Sequence, residues 1–291
     1  MEELPEYDSI VLSGGGLRAM AQLGALVKLE DSKHIDFNNV KYYSGTSMGA
    51  IFCFLLYIGY HPLQIFHLFC TIDDFLKVKG KIQSFNTVSS GWGFFDVEDV
   101  IDHIKPLVKK KIGDFLTFDQ LYQFTGKKLY ICACNLTDSK AEYFSYDTTP
   151  SVNVYNALCY SCNIPFLFKS QIYNGNYYVD GGMADNYPVR VIPIDSKKIL
   201  GLHVQGKSKG IKGITDYLNK LAFLSLNEIV KRNIEDKKNV LTTYSLPLAG
   251  TPLIGFEMSY DDKLLLFMKG HDYIEMRLEI DKDIMWGFEE W

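Results

Sequence analysis

The stretch Val40-Lys41-Tyr42-Tyr43-Ser44-Gly45-Thr46-Ser47-Met48-Gly49-Ala50-Ile51-Phe52-Cys53 decides how the chain is to be folded. Val40 to Tyr43 predicts a short strand, and the apolar block from Ala50 onward predicts a buried helix to about Tyr57. Between them stands Gly45-Thr46-Ser47-Met48-Gly49, a Gly-x-Ser-x-Gly pentapeptide. A strand that turns sharply into a helix at such a pentapeptide lifts the serine hydroxyl clear of the backbone. The glycines on either side let strand and helix approach closely, and the helix N-terminus offers partial positive charge to an oxyanion. The bland alternative is a glycine-lined tight turn, since five residues alone arise often by chance.

Working outward, Ser9-Ile10-Val11-Leu12 predicts a buried strand that ends at Gly14-Gly15-Gly16. Leu17, Met20, Ala21, Gly24 and Val27 then recur at helical spacing, giving a helix to about Glu30. Leu129 to Cys134 and Ile199 to Val204 predict two more strands, and Tyr177-Tyr178-Val179 another, ending at Asp180-Gly181-Gly182. This alternation predicts an α/β fold with helices on both faces of a mainly parallel sheet. Open sheets of that kind collect active groups at the carboxyl ends of their strands. The triple glycine, the pentapeptide and Asp180 all follow predicted strands.

Residues 61–127 read as helical and aromatic-rich, with Asp96 and Asp99 spaced as an N-cap and its N3 partner. Thr149-Pro150 predicts the cap and first-turn proline of a helix running to about Cys162. From Gly206 to Gly213 a loop is expected, followed by a mainly helical region in which Leu218, Leu221, Leu224 and Leu226 make core contacts. The expected organisation is a catalytic core over residues 1–205 with a mainly helical extension over 206–291 packed on it, or the two as one continuous domain. Two aromatic stretches, Gly91-Trp92-Gly93-Phe94-Phe95 and Trp286-Gly287-Phe288-Glu289-Glu290-Trp291, read either as interfacial or lid segments or as core staples.

The bulk composition excludes more than it proposes. At 291 residues, 47% hydrophobic and 22% charged, the chain is an ordinary globular protein. A net charge of −5 advertises no partner, and the runs Lys109-Lys110-Lys111 and Lys237-Lys238 are short and mixed with acids. They read as solvated faces, so no nucleic-acid partner is expected. Met1 to Asp8 is acidic and has no apolar signal region, and the apolar stretch Ala50 to Tyr60 falls short of the roughly 20 residues that span a bilayer. With six cysteines and no signal, the expectation is a cytoplasmic chain with reduced thiols, at most peripherally membrane-associated. Cys132/Cys134 and Cys159/Cys162 have no histidine at ligand spacing and read as core residues rather than zinc ligands. No EF-hand pattern is present, so neither metal nor cofactor is expected.

Gly14-Gly15-Gly16-Leu17-Arg18 admits two readings. Its glycines can turn backbone N–H groups toward a carbonyl oxygen, or Gly14-x-Gly16-x-x-Ala19 can open a dinucleotide site with Asp36 as the ribose acid. Asp36 precedes the strand at Val40 instead of ending it, and a second chemistry-bearing turn follows closely, so the first reading is preferred. Asp180-Gly181-Gly182 taken alone is equally an ordinary Asp-Gly turn. His203 and His271 follow Asp180, so a Ser, Asp, His order is formally available. His203 sits in an apolar strand pattern and His271 in a mixed-charge helical region, where both read as structural or surface residues.

In order and spacing, the three segments together resemble the patatin-like phospholipase family. Its pattern is a glycine-rich loop with a basic residue, a Gly-x-Ser-x-Gly turn and an Asp-Gly-Gly/Ala loop. Ser161-Cys162-Asn163-Ile164-Pro165-Phe166 and Asp185-Asn186-Tyr187-Pro188-Val189 also look familial, and the resemblance covers roughly residues 7–205. What it implies is a three-layer α/β/α core with Ser47 and Asp180 as a catalytic dyad. The N–H groups of Gly14, Gly15, Gly16, Leu17 and Met48 would form the oxyanion hole, with Arg18 supporting that loop or holding a substrate phosphate. The implied activity is a phospholipase A or lysophospholipase type of lipid acyl hydrolase, working through an acyl-enzyme without calcium. The alternatives are a neutral-lipid lipase or general esterase of the same fold, and a catalytically silent lipid-binding protein. The implied partner is a phospholipid or other lipid ester, met at a membrane surface; no oligomeric state is implied.

Overall fold

Among the described residues, eight strands make one mixed sheet. Strand β1 (Ser9–Leu12) pairs in parallel with β2 (Tyr42–Thr46) on one side and, on the other, with β7 (Ile199–Gln205). Outward from these, β3 (Lys128–Asn135) runs parallel to β2, and β8 (Leu241–Pro247) parallel to β7. Strands β4 (Lys140–Phe144) and β6 (Asn176–Asp180) run antiparallel to β3, and β5 (Gln171–Tyr173) antiparallel to β6. The computed structural model describes residues 7–71, 93, 95–193, 195–205, 226–248 and 258–286.

The period-2 alternation of the strands explains the layers. Ile10 and Leu12 of β1 enter a large apolar cluster on one face, whereas Val11 enters a smaller one on the other. Leu129 and Ile131 of β3 likewise face the large cluster, and Tyr130 the small one. The large cluster is built by α1 (Met20–Asp31), α2 (Met48–Tyr57), α3 (Pro62–Thr71), α4 (Glu98–Asp102), α5 (Lys105–Ile112), α6 (Phe118–Thr125) and α7 (Val154–Ser161). Helix α8 (Leu226–Asp236) sends Val230 to the small cluster, joined by Tyr187, Val189 and Ile192. Helix α9 (Tyr260–Trp286) closes over the large cluster with Leu266, Phe267, Ile274 and Leu278. Every residue of α2 is buried, as expected for a helix that is apolar all round.

The register along β3 brings two distant segments together. Cys132 opposes Thr46 across one edge of β3 and Tyr143 across the other, so β2 and β4 lie on opposite edges. One residue on, Ala133 opposes Asp180 and Glu142. Strand β6 therefore occupies the edge of β3 that β2 has just left, and it runs toward β2. The two strands end head to head, which places Thr46 and Asp180 one register step apart.

Several expectations are corrected. The helix after the glycines starts with a 3-10 turn, Gly16–Ala19, and becomes α-helical only at Met20. Helix α4 starts at Glu98 without side-chain capping, because the Asp96 carboxylate is taken by Lys169 at 2.9 Å. Thr149-Pro150 forms a turn, and α7 starts later, capped by Asn153, whose side chain accepts the Tyr155 N–H at 2.9 Å. Strands β4, β5 and β8 add to those expected, and β8 places a strand within the region read as mainly helical. The expected loop at 206–213, the core contacts of Leu218, Leu221 and Leu224, and the aromatics Trp92, Phe94 and 287–291 lie outside the described residues, and the Leu226 and Trp286 side chains are likewise not described. Among the described residues no helix is long and apolar enough to cross a membrane.

Candidate active site

The turn from β2 into α2 is tight because two glycines make room for it. A Cβ on Gly45 would stand 2.5 Å from the Gly49 carbonyl oxygen, and one on Gly49 would stand 2.5 Å from the Leu12 oxygen. Both distances are too short for any side chain, so strand β1, the end of β2 and the start of α2 meet backbone to backbone. Ser47 sits at the apex with φ 54° and ψ −127°, a conformation costly for a residue with a Cβ. Such strain persists only where neighbours hold it. The Ser47 N–H donates to Ser161 Oγ at 2.8 Å, Ser161 Oγ donates to the Cys132 carbonyl at 2.6 Å, and Thr46 Oγ1 donates to the Asp185 carbonyl at 2.8 Å.

From this apex Ser47 Oγ donates to Asp180 Oδ2 at 2.6 Å. The other carboxylate oxygen, Oδ1, accepts the Gly182 N–H at 2.7 Å, and the Asp180 N–H donates to the Asn163 carbonyl at 2.8 Å. Asp180 is buried, and burial pushes its pKa up to about 6 despite the lowering effect of the Ser47 and Gly182 hydrogen bonds. A carboxyl near 6 is ionised at neutral pH yet remains a usable proton acceptor. Gly181 admits this geometry because a Cβ there would meet the Cys132 oxygen at 2.2 Å.

The glycine loop lies against the same serine. A Cβ on Gly14 would stand 3.3 Å from Ser47 Cβ and 2.5 Å from Asn186 Oδ1. Gly16 has φ 54°, which glycine adopts without strain. The Gly14 N–H donates to the Asn186 carbonyl at 3.1 Å, so it is spent and cannot serve an oxyanion as the sequence suggested. Among the described residues, no acceptor takes the N–H groups of Gly15, Gly16, Leu17 or Met48. Gln22 anchors the loop from α1, its Nε2 donating to the Ser13 and Leu202 carbonyls at 3.0 Å each. Arg18 is buried in the 3-10 turn that follows the glycines, where desolvation lowers its pKa, and its backbone N–H donates to the Gly15 carbonyl at 3.2 Å.

Neither histidine joins this arrangement. His203 lies buried in β7 against Tyr187, 5.3 Å between ring centroids, and burial depresses its pKa to about 4. His271 lies on α9 beside Asp272 at 3.2 Å. Asp36, the ribose-acid candidate, accepts the Asn38 N–H at 2.9 Å in an exposed turn. The six cysteines are buried and free; the Cys162 thiol is pushed well up by burial and then by the charge of Asp180, which keeps it protonated. Ser161, Asn163, Gln22 and Asn186 carry no role that the sequence alone assigns. Ser161, Asn163 and Asn186 lie in the two stretches that look familial, but their contacts to the site, such as Asn186 to Gly14 across 172 residues, are set by the tertiary fold.

A family profile described as Patatin-like phospholipase matches residues 10–192, which contain the glycine loop, Ser47 and Asp180. The chain belongs to this family. Among relatives of this patatin-like chain is a probable lipid hydrolase, 463L, of Invertebrate iridescent virus 6, 32% identical over 91% of this chain and 87% of its own length. A triacylglycerol lipase, ptl3, of Schizosaccharomyces pombe is 28% identical over 55% of this chain, which spans only 33% of that protein. The patatin-like fold is shared with VipD from Legionella pneumophila, at a TM-score of 0.65 and 16% identity over 94% of this chain and 67% of that one. The family places the chain among lipid ester hydrolases.

Proposed function

We propose that this patatin-like chain is a lipid acyl hydrolase of the phospholipase A or lysophospholipase type, with Ser47 as nucleophile and Asp180 as its general base. The observation that carries the proposal is the 2.6 Å hydrogen bond from Ser47 Oγ to the buried Asp180 carboxylate. Asp180 takes the hydroxyl proton as Ser47 attacks the ester carbonyl, then returns it to the departing alcohol oxygen. Water, deprotonated by the same carboxylate, attacks the acyl-Ser47 ester, and Asp180 returns that proton to Ser47 Oγ as the fatty acid leaves. Gly15, Gly16, Leu17 and Met48 supply the N–H groups that meet the tetrahedral oxyanion, helped by the N-terminus of α2. Arg18, buried in the turn that follows the glycines, is assigned the support of that loop. The substrate is drawn from a membrane or micelle surface by peripheral contact.

A neutral-lipid lipase is the second reading, supported by the relative named triacylglycerol lipase in Schizosaccharomyces pombe. The dyad chemistry is common to both, because it acts on the ester carbonyl and does not read the head group. The test is fluorophosphonate labelling together with hydrolysis of phosphatidylcholine, lysophosphatidylcholine and triacylglycerol. Ser47→Ala should abolish labelling, and Asp180→Asn should lower turnover on the order of 10⁴-fold. Full activity of Asp180→Asn would remove the dyad, and turnover confined to triacylglycerol would select the second reading. Lipid binding without turnover of any ester would make the chain a silent binder.

A further inference from the structure

The segment Ser161–Asn163, at the end of α7, touches both members of the dyad. Ser161 Oγ accepts the Ser47 N–H at 2.8 Å, and the Asn163 carbonyl accepts the Asp180 N–H at 2.8 Å. Each contact is itself fixed by the sheet. Ser161 Oγ donates onward to the Cys132 carbonyl at 2.6 Å, and Asn163 Nδ2 donates to the Tyr178 carbonyl at 2.9 Å. Both residues are buried, at 0% and 1% exposure, so neither contact exchanges readily with water. The Ser161 hydroxyl thus uses its one proton on β3 and one of its two lone pairs on Ser47, which fixes its direction.

From this we infer that Ser161 and Asn163 form a clamp that sets the distance between nucleophile and base, with Ser161 as a positioning residue for Ser47. The inference rests on the assignment of Ser47 and Asp180 as the dyad. Ser47 needs such a clamp, because its backbone at φ 54° relaxes toward ordinary values unless its amide is held. Relaxation rotates Oγ away from Asp180, and a displacement of about 1 Å costs on the order of 100-fold in rate. The clamp also withdraws the Ser47 N–H from the oxyanion site, leaving Met48 to donate from that side.

The decisive comparison is wild type, Ser161→Ala, Ser161→Thr and Ser161→Cys. The readouts are the rate of fluorophosphonate labelling at Ser47, and kcat and KM on a soluble short-chain ester. Ser161→Ala is expected to lower the labelling rate and kcat by about 10- to 100-fold with KM within about twofold. Ser161→Thr, which keeps a hydroxyl able to accept and donate, is expected to recover most of that loss. Wild-type rates in Ser161→Ala overturn the clamp, and so does a loss that Ser161→Thr does not repair. If Ser161→Ala does not fold, Ser161→Cys decides: of similar size but a weaker hydrogen-bonding group, it should be slowed, and wild-type rates in it overturn the inference. Wild type that is not labelled at Ser47 removes the dyad assignment itself; a labelled wild type with an indifferent Ser161→Ala removes the clamp alone.

Discussion

Asp180 is where the acidity of the solution reaches the chemistry. Its carboxyl, pushed up to about 6 by burial, must be ionised to take the Ser47 proton. The free-enzyme rate constant kcat/KM should therefore rise about tenfold per pH unit below 6 and level off above about 7. A profile that is flat from pH 5 to 8 would remove Asp180 as the base. The same group has a consequence for stability, of opposite sign to an ordinary surface aspartate. Folded Asp180 holds its proton more tightly than an unfolded aspartate at 3.8, so its contribution is complete below about 3.8 and is lost as pH rises through about 6. At pH 8 the gap of roughly two pKa units amounts to about 3 kcal/mol of unfavourable burial. Asp180→Asn removes that charge yet keeps both contacts, its oxygen toward Gly182 and its amide toward Ser47. Denaturant unfolding should find Asp180→Asn more stable than wild type by up to about 3 kcal/mol at pH 8, with the difference closing below pH 4. A constant difference across that range would contradict the assigned protonation.

At the scale of elements, the site exists because β2 and β6 end head to head on one edge of β3, and because β1 and α2 touch backbone to backbone at Gly49. Gly49→Ala would put a methyl 2.5 Å from the Leu12 oxygen and 2.6 Å from that of Ser13, both held in or beside the sheet. Overpacking of this kind costs about 1–3 kcal/mol, and here it also displaces Ser47, so labelling by fluorophosphonate should fall with the melting temperature. Much of this architecture was legible beforehand. Ser9–Leu12 and Leu129–Cys134 are nearly continuous apolar runs, as strands buried on both faces must be. Strand β8 is not legible in the sequence, because as an edge strand it fully buries only Tyr244 and Leu246, and Thr242, Thr243 and Ser245 read as polar. The sequence leaves the start of α7 ambiguous, because Thr149-Pro150 and Asn153 are both cap signals and tertiary contacts choose between them. Asn153 also donates to the Phe115 carbonyl at 2.8 Å, tying the cap to the loop before α6. Asn153→Ala should accordingly cost about 1–2 kcal/mol in denaturant unfolding, whereas Pro150→Ala, exposed in a turn, should stay within about 0.5 kcal/mol.

Across the whole molecule, the chain beyond the family match at 192 reinforces the site from behind. Strand β8 extends the sheet from β7, and α8 sends Asn233 Nδ2 to Asp185 Oδ1 at 3.1 Å, the residue whose carbonyl holds Thr46. Helix α9 lies along α1, the helix that leads directly out of the glycine loop. Their approach is close enough that glycine is required on both sides. A Cβ on Gly24 would stand 1.9 Å from the Phe267 oxygen, and one on Gly270 1.8 Å from the Ala21 oxygen. The sequence shows Gly24 as one more member of an apolar helical face, and only the pairing with a helix more than 200 residues away explains why it carries no side chain. Gly270→Ala has to push α9 off α1 or shift α1 itself. The gain in helix propensity, about 1 kcal/mol for alanine over glycine, works against the clash. A clash of about 2 Å with backbone that cannot rotate away should win, so that the net effect is a loss of about 1–3 kcal/mol. Lys269→Ala, exposed one residue earlier on the same helix, should change stability by less than about 0.5 kcal/mol. If α9 supports the glycine loop through α1, Gly270→Ala should also slow fluorophosphonate labelling at temperatures where the protein is fully folded, and Lys269→Ala should not. A stability loss without any change in labelling would confine α9 to packing and separate it from the site.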